Sequence, residues 1–261
     1  MKGIGSALLR LAALLLLSAV ALQLYFLLRI VLMLVVDPQS TAFQRSEAWR
    51  LLVDKHSILW SQQWVSYGHI SPNLKRAVIA SEDAGFTDHG GVDWDAIEKA
   101  WERNQRAEAR LERLHEQLER RAPKAAAGRP APARPVPQAK VVGGSTITQQ
   151  LAKNLFLDGE RSLARKGQEF VVTLMLEAVL PKQRILEIYL NSVEWGEGLF
   201  GAEAATRHYF HVGADRVGAM QAAQLAVMLP APKRFEKRPS SAYVIGRAGT
   251  VAARMGAVDP P

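Results

Sequence analysis

The stretch Gly143-Gly-Ser-Thr-Ile-Thr-Gln-Gln-Leu-Ala-Lys-Asn154 joins two glycines and three hydroxyl side chains to a run able to start a helix. Ile147, Leu151 and Leu155 recur at i, i+4 and i+8 and lay an apolar stripe on one helical face. Gln149, Gln150 and Lys153 fall away from that stripe. A glycine turn feeding a helix N-terminus offers free backbone N–H groups and the positive end of the macrodipole. With the hydroxyls and Lys153, this reads as a site for an anionic group, most naturally a phosphate or pyrophosphate. It is not a Walker A loop, because no Gly-Lys-Ser/Thr follows at the required spacing. The plainer alternative is a capped helix after a glycine loop.

Upstream, Leu11–Leu28 is apolar except for Ser18 and Gln23, and apolar character resumes from Ile30 to Val36 after Arg29. About 20 such residues span a bilayer core, so residues 11–36 are expected to form a transmembrane anchor. Lys2 and Arg10 on its short N-terminal flank place residues 1–10 in the cytoplasm. Arg29 is placed to snorkel toward the far interface. Ala19-Val-Ala21 fits a cleavage pattern, but the apolar run continues well past it, which favours a retained anchor. The chain has 261 residues, 48% of them hydrophobic, which is enough for one catalytic domain with a real core. The formal net charge of +8 favours an anionic partner or surface. Without cysteine there is no disulfide and no thiolate metal site.

Between residues 37 and 71, Trp49, Trp60, Trp64 and Tyr67 suit either the core or a lipid interface, the core being favoured. Ser71-Pro72 reads as an N-cap and first helical position, so a helix should run from there to about Glu82. Asp93 can cap the next helix, with Ile97, Ala100 and Trp101 turned inward. Residues 102–121 are dense in charge over a thin stripe of Leu111, Leu114 and Leu118, as in a solvated helix with i,i+4 pairs. Residues 122–140 carry five prolines with Ala, Gly and Arg and read as a flexible linker. Ser162–Leu180, Gln183–Leu190 and Ala219–Leu229 have helical periodicity, and no segment alternates as a sheet strand does. The fold class is mainly α.

GGSTITQQLAKN resembles the second signature motif of the family-51 glycosyltransferases, the peptidoglycan glycosyltransferases that polymerise lipid II. Three further segments are similar to the family's motifs, in the same order. Ala80-Ser-Glu-Asp-Ala-Gly-Phe-Thr-Asp-His-Gly-Gly-Val-Asp93 resembles the first. Arg161-Ser-Leu-Ala-Arg-Lys-Gly-Gln-Glu169 resembles the third. Lys182-Gln-Arg-Ile-Leu-Glu-Ile-Tyr-Leu-Asn191 resembles the fourth, and Gly201-Ala-Glu-Ala-Ala and Tyr209-Phe210 follow it. The resemblance covers about Ser57 to Phe235. It implies a two-lobed, lysozyme-like glycosyltransferase domain over residues 37–261, behind a single transmembrane helix. The charged, Pro/Ala-rich stretch at 102–140 lengthens the usual gap between the first two motifs and reads as a surface insertion. No room follows for a transpeptidase domain, so a monofunctional enzyme is expected.

Joining sugars requires a base for the acceptor hydroxyl and charge stabilisation for the leaving pyrophosphate. Glu82 ends a predicted helix, where the macrodipole and neighbouring Asp83 push a carboxylate pKa upward. From spacing alone an exposed acidic pair is the favoured reading; the resemblance reverses this and makes Glu82 the catalytic base. Glu169, four residues after Arg165, reads by itself as an i,i+4 ion pair. The resemblance makes it a second catalytic carboxylate that positions the donor, organises the cations or helps hold a divalent ion. The implied pyrophosphate cradle comprises Ser145, Thr146, Gln149, Gln150, Lys153, Arg161 and Lys166. Arg165 is expected to pair with Glu169 while Lys166 faces the donor. Phe86 and His89 read as supports of the first-motif loop and, with Asp83 and Asn191, complete the expected substrate-binding set.

The implied substrates are lipid II and the lipid-linked glycan chain, with β-1,4 linkage and release of undecaprenyl pyrophosphate. The implied location is the bacterial inner membrane, single-pass, with the catalytic domain on the periplasmic side. Membrane lipids are expected partners, other cell-wall synthases and division proteins are candidates, and nucleic acid is not expected. The only candidate cofactor is a divalent cation, Mg²⁺ or Mn²⁺, and no ligand cluster with clear metal spacing is present. Two other readings compete: a peptidoglycan-cleaving muramidase or lytic transglycosylase, and an inactive anchored scaffold that binds lipid II.

Overall fold

The computed structural model describes residues 2–121, 144–157 and 162–261. They form eleven helices and one small sheet: α1 (Lys2–Leu32), α2 (Ala42–Lys55), β1 (Ser61–Gln62), α3 (Pro72–Glu82), α4 (Trp94–Arg121), α5 (Ile147–Phe156), α6 (Leu163–Val179), α7 (Lys182–Ser192), β2 (Glu194–Gly196), β3 (Leu199–Phe200), α8 (Ala202–Phe210), α9 (Ala219–Met228), α10 (Pro232–Phe235) and α11 (Ala242–Arg254). The expectation of a mainly helical protein holds. The sheet has strands of two and three residues, too short to register as alternation. Its order is β1-β3-β2, with β1 parallel to β3 and β2 antiparallel to it.

The chain divides into two compact units. One comprises Met1–Val92 and Thr146–Pro261, the other Asp93–Ser145. In the second unit Asp93 caps α4, its Oδ1 accepting from the Ala96 N–H at 2.8 Å. Arg106 pairs with Glu102 one turn away, as the charge pattern anticipated. Ala100 is buried, but Trp101 is two-thirds exposed rather than turned inward. The proline-rich linker at 122–140 lies outside the described residues.

In the first unit the helix starts follow local chemistry. Ser71 caps α3 by accepting from Asn73 N–H, with Pro72 in the first turn, and the helix ends at Glu82 as its signals predicted. Thr41 and Gln44 make a reciprocal capping box on α2, and Thr146 and Gln149 make one on α5. Helix α5 packs against α2, α6 and α7, while α9 packs against α3 and α11. The core closes around Trp195, Tyr189, Phe86, Leu74, Leu151 and Leu176, all fully buried. Of the upstream aromatics, Trp64 and Tyr67 pack on that core while Trp49 is exposed.

Ala7–Leu32 of α1 is long and apolar enough to cross a membrane. Residues 7–22 are exposed, whereas Phe26, Ile30 and Met33 beyond them are buried against the domain. Arg29 donates to the Tyr25 hydroxyl at 3.0 Å, which keeps both polar tips together at one level of the helix. The chain leaves α1 held by Arg184, whose Nε donates to the Met33 carbonyl at 2.8 Å and whose guanidinium pairs with Asp37 and Glu187.

Gly198 turns the β2–β3 hairpin with φ +69°, and a Cβ there would collide with the Leu59 carbonyl oxygen. Gly198→Ala is expected to lower stability by at least ~1–3 kcal/mol. Gly68→Ala, where a Cβ meets open space, should stay within ~0.5 kcal/mol of wild type. Thermal unfolding followed by circular dichroism checks both.

Candidate active site

The first-motif loop leaves α3 at Glu82 and is fixed by Asp83. One oxygen of this buried carboxylate accepts from the Ile147 N–H at 2.9 Å, at the first residue of α5. The other lies 2.8 Å from His89 Nε2. The Gly91 N–H donates to His89 Nδ1 at 3.1 Å, so the neutral ring carries its proton on Nε2 and donates it to Asp83. Thr146 Oγ1 donates to the Gly91 carbonyl at 2.7 Å, and Lys182 Nζ donates to the His89 carbonyl at 2.7 Å while lying over the Phe86 ring. Gly91 has φ +88°, and a Cβ there would strike Thr173 and Glu177 of α6. The loop is thus tied to three helices, and Phe86 and His89 serve as the supports they were expected to be.

These contacts change the reading of the glycine-to-helix stretch. The anion at the N-terminus of α5 is the carboxylate of Asp83, not a bound phosphate. The Gln149 N–H is taken by Thr146 Oγ1, and the Gln149 side chain returns to the Thr146 N–H at 3.2 Å. Thr146 and Gln149 are buried and committed to this cap. The capped-helix alternative therefore describes this turn. Asn191 is corrected in the same way. It is fully buried, and its amide bonds the backbone of Val65 in both directions and the Glu187 carbonyl. Ser145 is exposed and belongs to the second unit. Arg161 lies outside the described residues.

Gln150 is directed elsewhere than expected: its Nε2 donates to Glu82 Oε2 at 3.2 Å, and its Oε1 accepts from the Tyr189 hydroxyl at 2.8 Å. Sequence reading placed Tyr189 in an apolar stripe. The overlooked signal is that a fully buried tyrosine hydroxyl needs a partner. Burial raises the Glu82 pKa above the ordinary glutamate value; hydrogen bonds from Gln150 and Ser81 oppose this, and the Asp83 charge adds to it. Burial, followed by the charges of Glu82 and Asp83, holds the Tyr189 phenol protonated well above its usual range.

The second carboxylate, Glu169, is buried and held from both sides. Arg165 Nη1 lies 3.2 Å from one oxygen, and Lys166 Nζ bonds the other. The two neighbouring cations therefore share one partner, contrary to the expected division of roles, because i+3 and i+4 positions both reach Glu169. Lys153 has no hydrogen bond or ion pair among the described residues. It keeps contact with solvent, yet burial lowers its pKa, the Glu169 charge opposes this, and Arg165 and Lys166 reinforce it. Arg165 Nε is buried with no hydrogen-bond partner among the described residues. Three cations thus gather around one carboxylate, leaving an excess of positive charge and a spare donor for an anionic ligand. Gln150 and Lys153, one turn apart on α5, link this cluster to Glu82.

Two outcomes follow. Asp83→Ala should cost ~1–3 kcal/mol per donor left unpaired, read as a lower unfolding midpoint. Gln150→Leu removes a hydrogen bond that favours ionised Glu82, so the Glu82 pKa should rise further. Any activity that needs this carboxylate ionised should then show its acid limb displaced to higher pH in a pH–rate profile.

A sequence-family model described as "Transglycosylase" matches residues 55–112 and 131–256, and the break falls within the charged insertion. The chain is similar to the biosynthetic peptidoglycan transglycosylase of Burkholderia ambifaria (strain MC40-6), at 49% identity over 241 residues, 92% of this chain and 86% of that protein. It is similar to the protein of the same description in Burkholderia orbicola (strain MC0-3), at 50% identity with the same coverage. The counterpart in Burkholderia thailandensis is 49% identical, covering 92% of this chain and 82% of that protein.

Proposed function

The chain belongs to the transglycosylase family, and from that premise we infer that Glu82 is its general base. The protein is a glycosyltransferase of peptidoglycan synthesis acting on lipid II and the glycan chain. The observation that carries the base assignment is the hydrogen-bonded line Tyr189–Gln150–Glu82. It aims a single carboxylate whose burial-raised pKa suits proton abstraction near neutral pH.

In this reading the lipid-linked growing chain is the donor and lipid II the acceptor, through the 4-hydroxyl of its N-acetylglucosamine. Glu82 takes the hydroxyl proton as the oxygen attacks the anomeric carbon. The anomeric centre inverts to a β-1,4 linkage and undecaprenyl pyrophosphate departs. Lys153, Arg165 and Lys166 meet the charge that develops on the pyrophosphate, which is where catalysis of this kind gains most. Glu169 holds Arg165 and Lys166 in place and limits their mutual repulsion. A divalent ion does not fit at Glu169: both oxygens are engaged by cations and a third cation stands close. No step is routed through one.

The apolar α1 fits a membrane anchor. Lys2 and Arg10 support a cytoplasmic N-terminus, with the domain on the periplasmic side of the inner membrane. A cleaving muramidase would have no use for three cations beside the second carboxylate, and an inactive scaffold would have no use for a carboxylate with a raised pKa.

Polymerisation of labelled lipid II by the detergent-solubilised protein tests the assignment. Wild type should form polymer, and Glu82→Gln should form at least ~100-fold less. Polymer from both proteins would remove Glu82 from its role, and fragments released from sacculi would favour a cleaving enzyme.

A further inference from the structure

The anchor carries one amide side chain deep in its apolar span. Gln23 lies six residues before Arg29, about 9 Å further from the interface that Arg29 reaches at 1.5 Å per residue. It does not face lipid alone. Gln23 Nε2 donates to Gln168 Oε1 at 2.8 Å, and Gln168 Nε2 donates back to Gln23 Oε1 at 3.0 Å. The pair joins α1 to α6 across 145 residues of sequence. Below it the stripe continues with Phe26, Ile30 and Met33, and the Phe26 ring meets the Phe156 ring edge-on at 5.1 Å. Gln168 immediately precedes Glu169, three residues after Arg165. Phe156 stands three residues after Lys153. The anchor therefore grips both helices that carry the cation cluster. The outward face of α6 bears exposed Leu163, Phe170, Val171 and Leu174, as expected of a helix at lipid depth.

We propose that Gln23 is a positioning residue: its reciprocal amide pair with Gln168 sets the placement of α6, and with it Arg165, Lys166 and Glu169, so that the anchor is part of the active-site scaffold. This rests on the pyrophosphate-binding reading of that cluster. An amide in hydrocarbon has no water to fall back on, so the pair resists separation, and its two bonds fix the register of the two helices. A tether serving only to hold the enzyme at the membrane would need neither.

The native chain has no cysteine, so the pairing can be tested with two. In lipid nanodiscs, a short bifunctional methanethiosulfonate, which replaces the reach of the two lost amides, should bridge Gln23→Cys and Gln168→Cys in a reducible cross-link, scored by intact mass. Leu24→Cys with Gln168→Cys should bridge far less, because Leu24 is exposed. Bridging of the 23/168 pair no greater than that of the 24/168 pair would overturn the docking. For positioning, Gln23→Leu and Gln168→Leu should each lower kcat for lipid II polymerisation about 3- to 10-fold, because each strands one amide in lipid. In the double Leu variant the unfolding midpoint should return toward wild type, because no amide is left unpaired, while kcat stays below wild type, because the bonds that fix the register are gone; a general loss of stability would move the two together. Wild-type kcat in both singles or in the double would overturn positioning. The cross-link does not depend on activity, so it stands or falls separately from the assignment of the reaction.

Discussion

The carboxylate of Asp83 occupies the N-terminus of α5, and the geometry of the candidate active site depends on that contact. A helix start leaves donors without intrahelical partners and carries a partial positive charge. Here the protein's own anion satisfies it, from a residue 64 positions earlier in the chain. With one oxygen on α5 and the other on His89, Asp83 binds the turn after α3 to the start of α5. Glu82 is the preceding residue, so the same contact determines where the proposed base stands. Lys182 and Thr146 then hold the far end of the loop at His89 and Gly91.

Two carboxylates at this centre are given opposite surroundings. Glu82 is half-buried, and burial together with acidic Asp83 favours the proton against the hydrogen bonds from Gln150 and Ser81. Glu169 is more deeply buried but lies between Arg165 and Lys166, where its charge organises cations. On the proposed reading the contrast separates a proton acceptor from an electrostatic support without needing different residue types.

Local features of the sequence were readable because their causes are local. Ser71-Pro72 starts α3, Asp93 starts α4, and the apolar run of α1 follows from composition alone. The direction of individual side chains was not readable. Thr146 and Asn191 carry groups as able to bind a phosphate as to bind the backbone, and only the folded chain shows that backbone has taken them. Gln150 was placed on the correct helix, but its partners come from α3 and α7. Tyr189 was hidden by its ring, which fits an apolar stripe as well as leucine does. In each case the deciding partner is distant in sequence, and no periodicity records it.

The amide pair between α1 and α6 also bears on the order of assembly. On the proposed reading of α1 as a membrane anchor, it leaves the ribosome first and enters the bilayer with Gln23 lacking its partner. Gln168 is synthesised 145 residues later. Throughout that interval the bilayer holds an unsatisfied polar group on an otherwise apolar helix, and docking of α6 relieves it. On that reading the membrane acts as a template for the last stage of folding, drawing α6 and the cationic cluster it carries toward the bilayer.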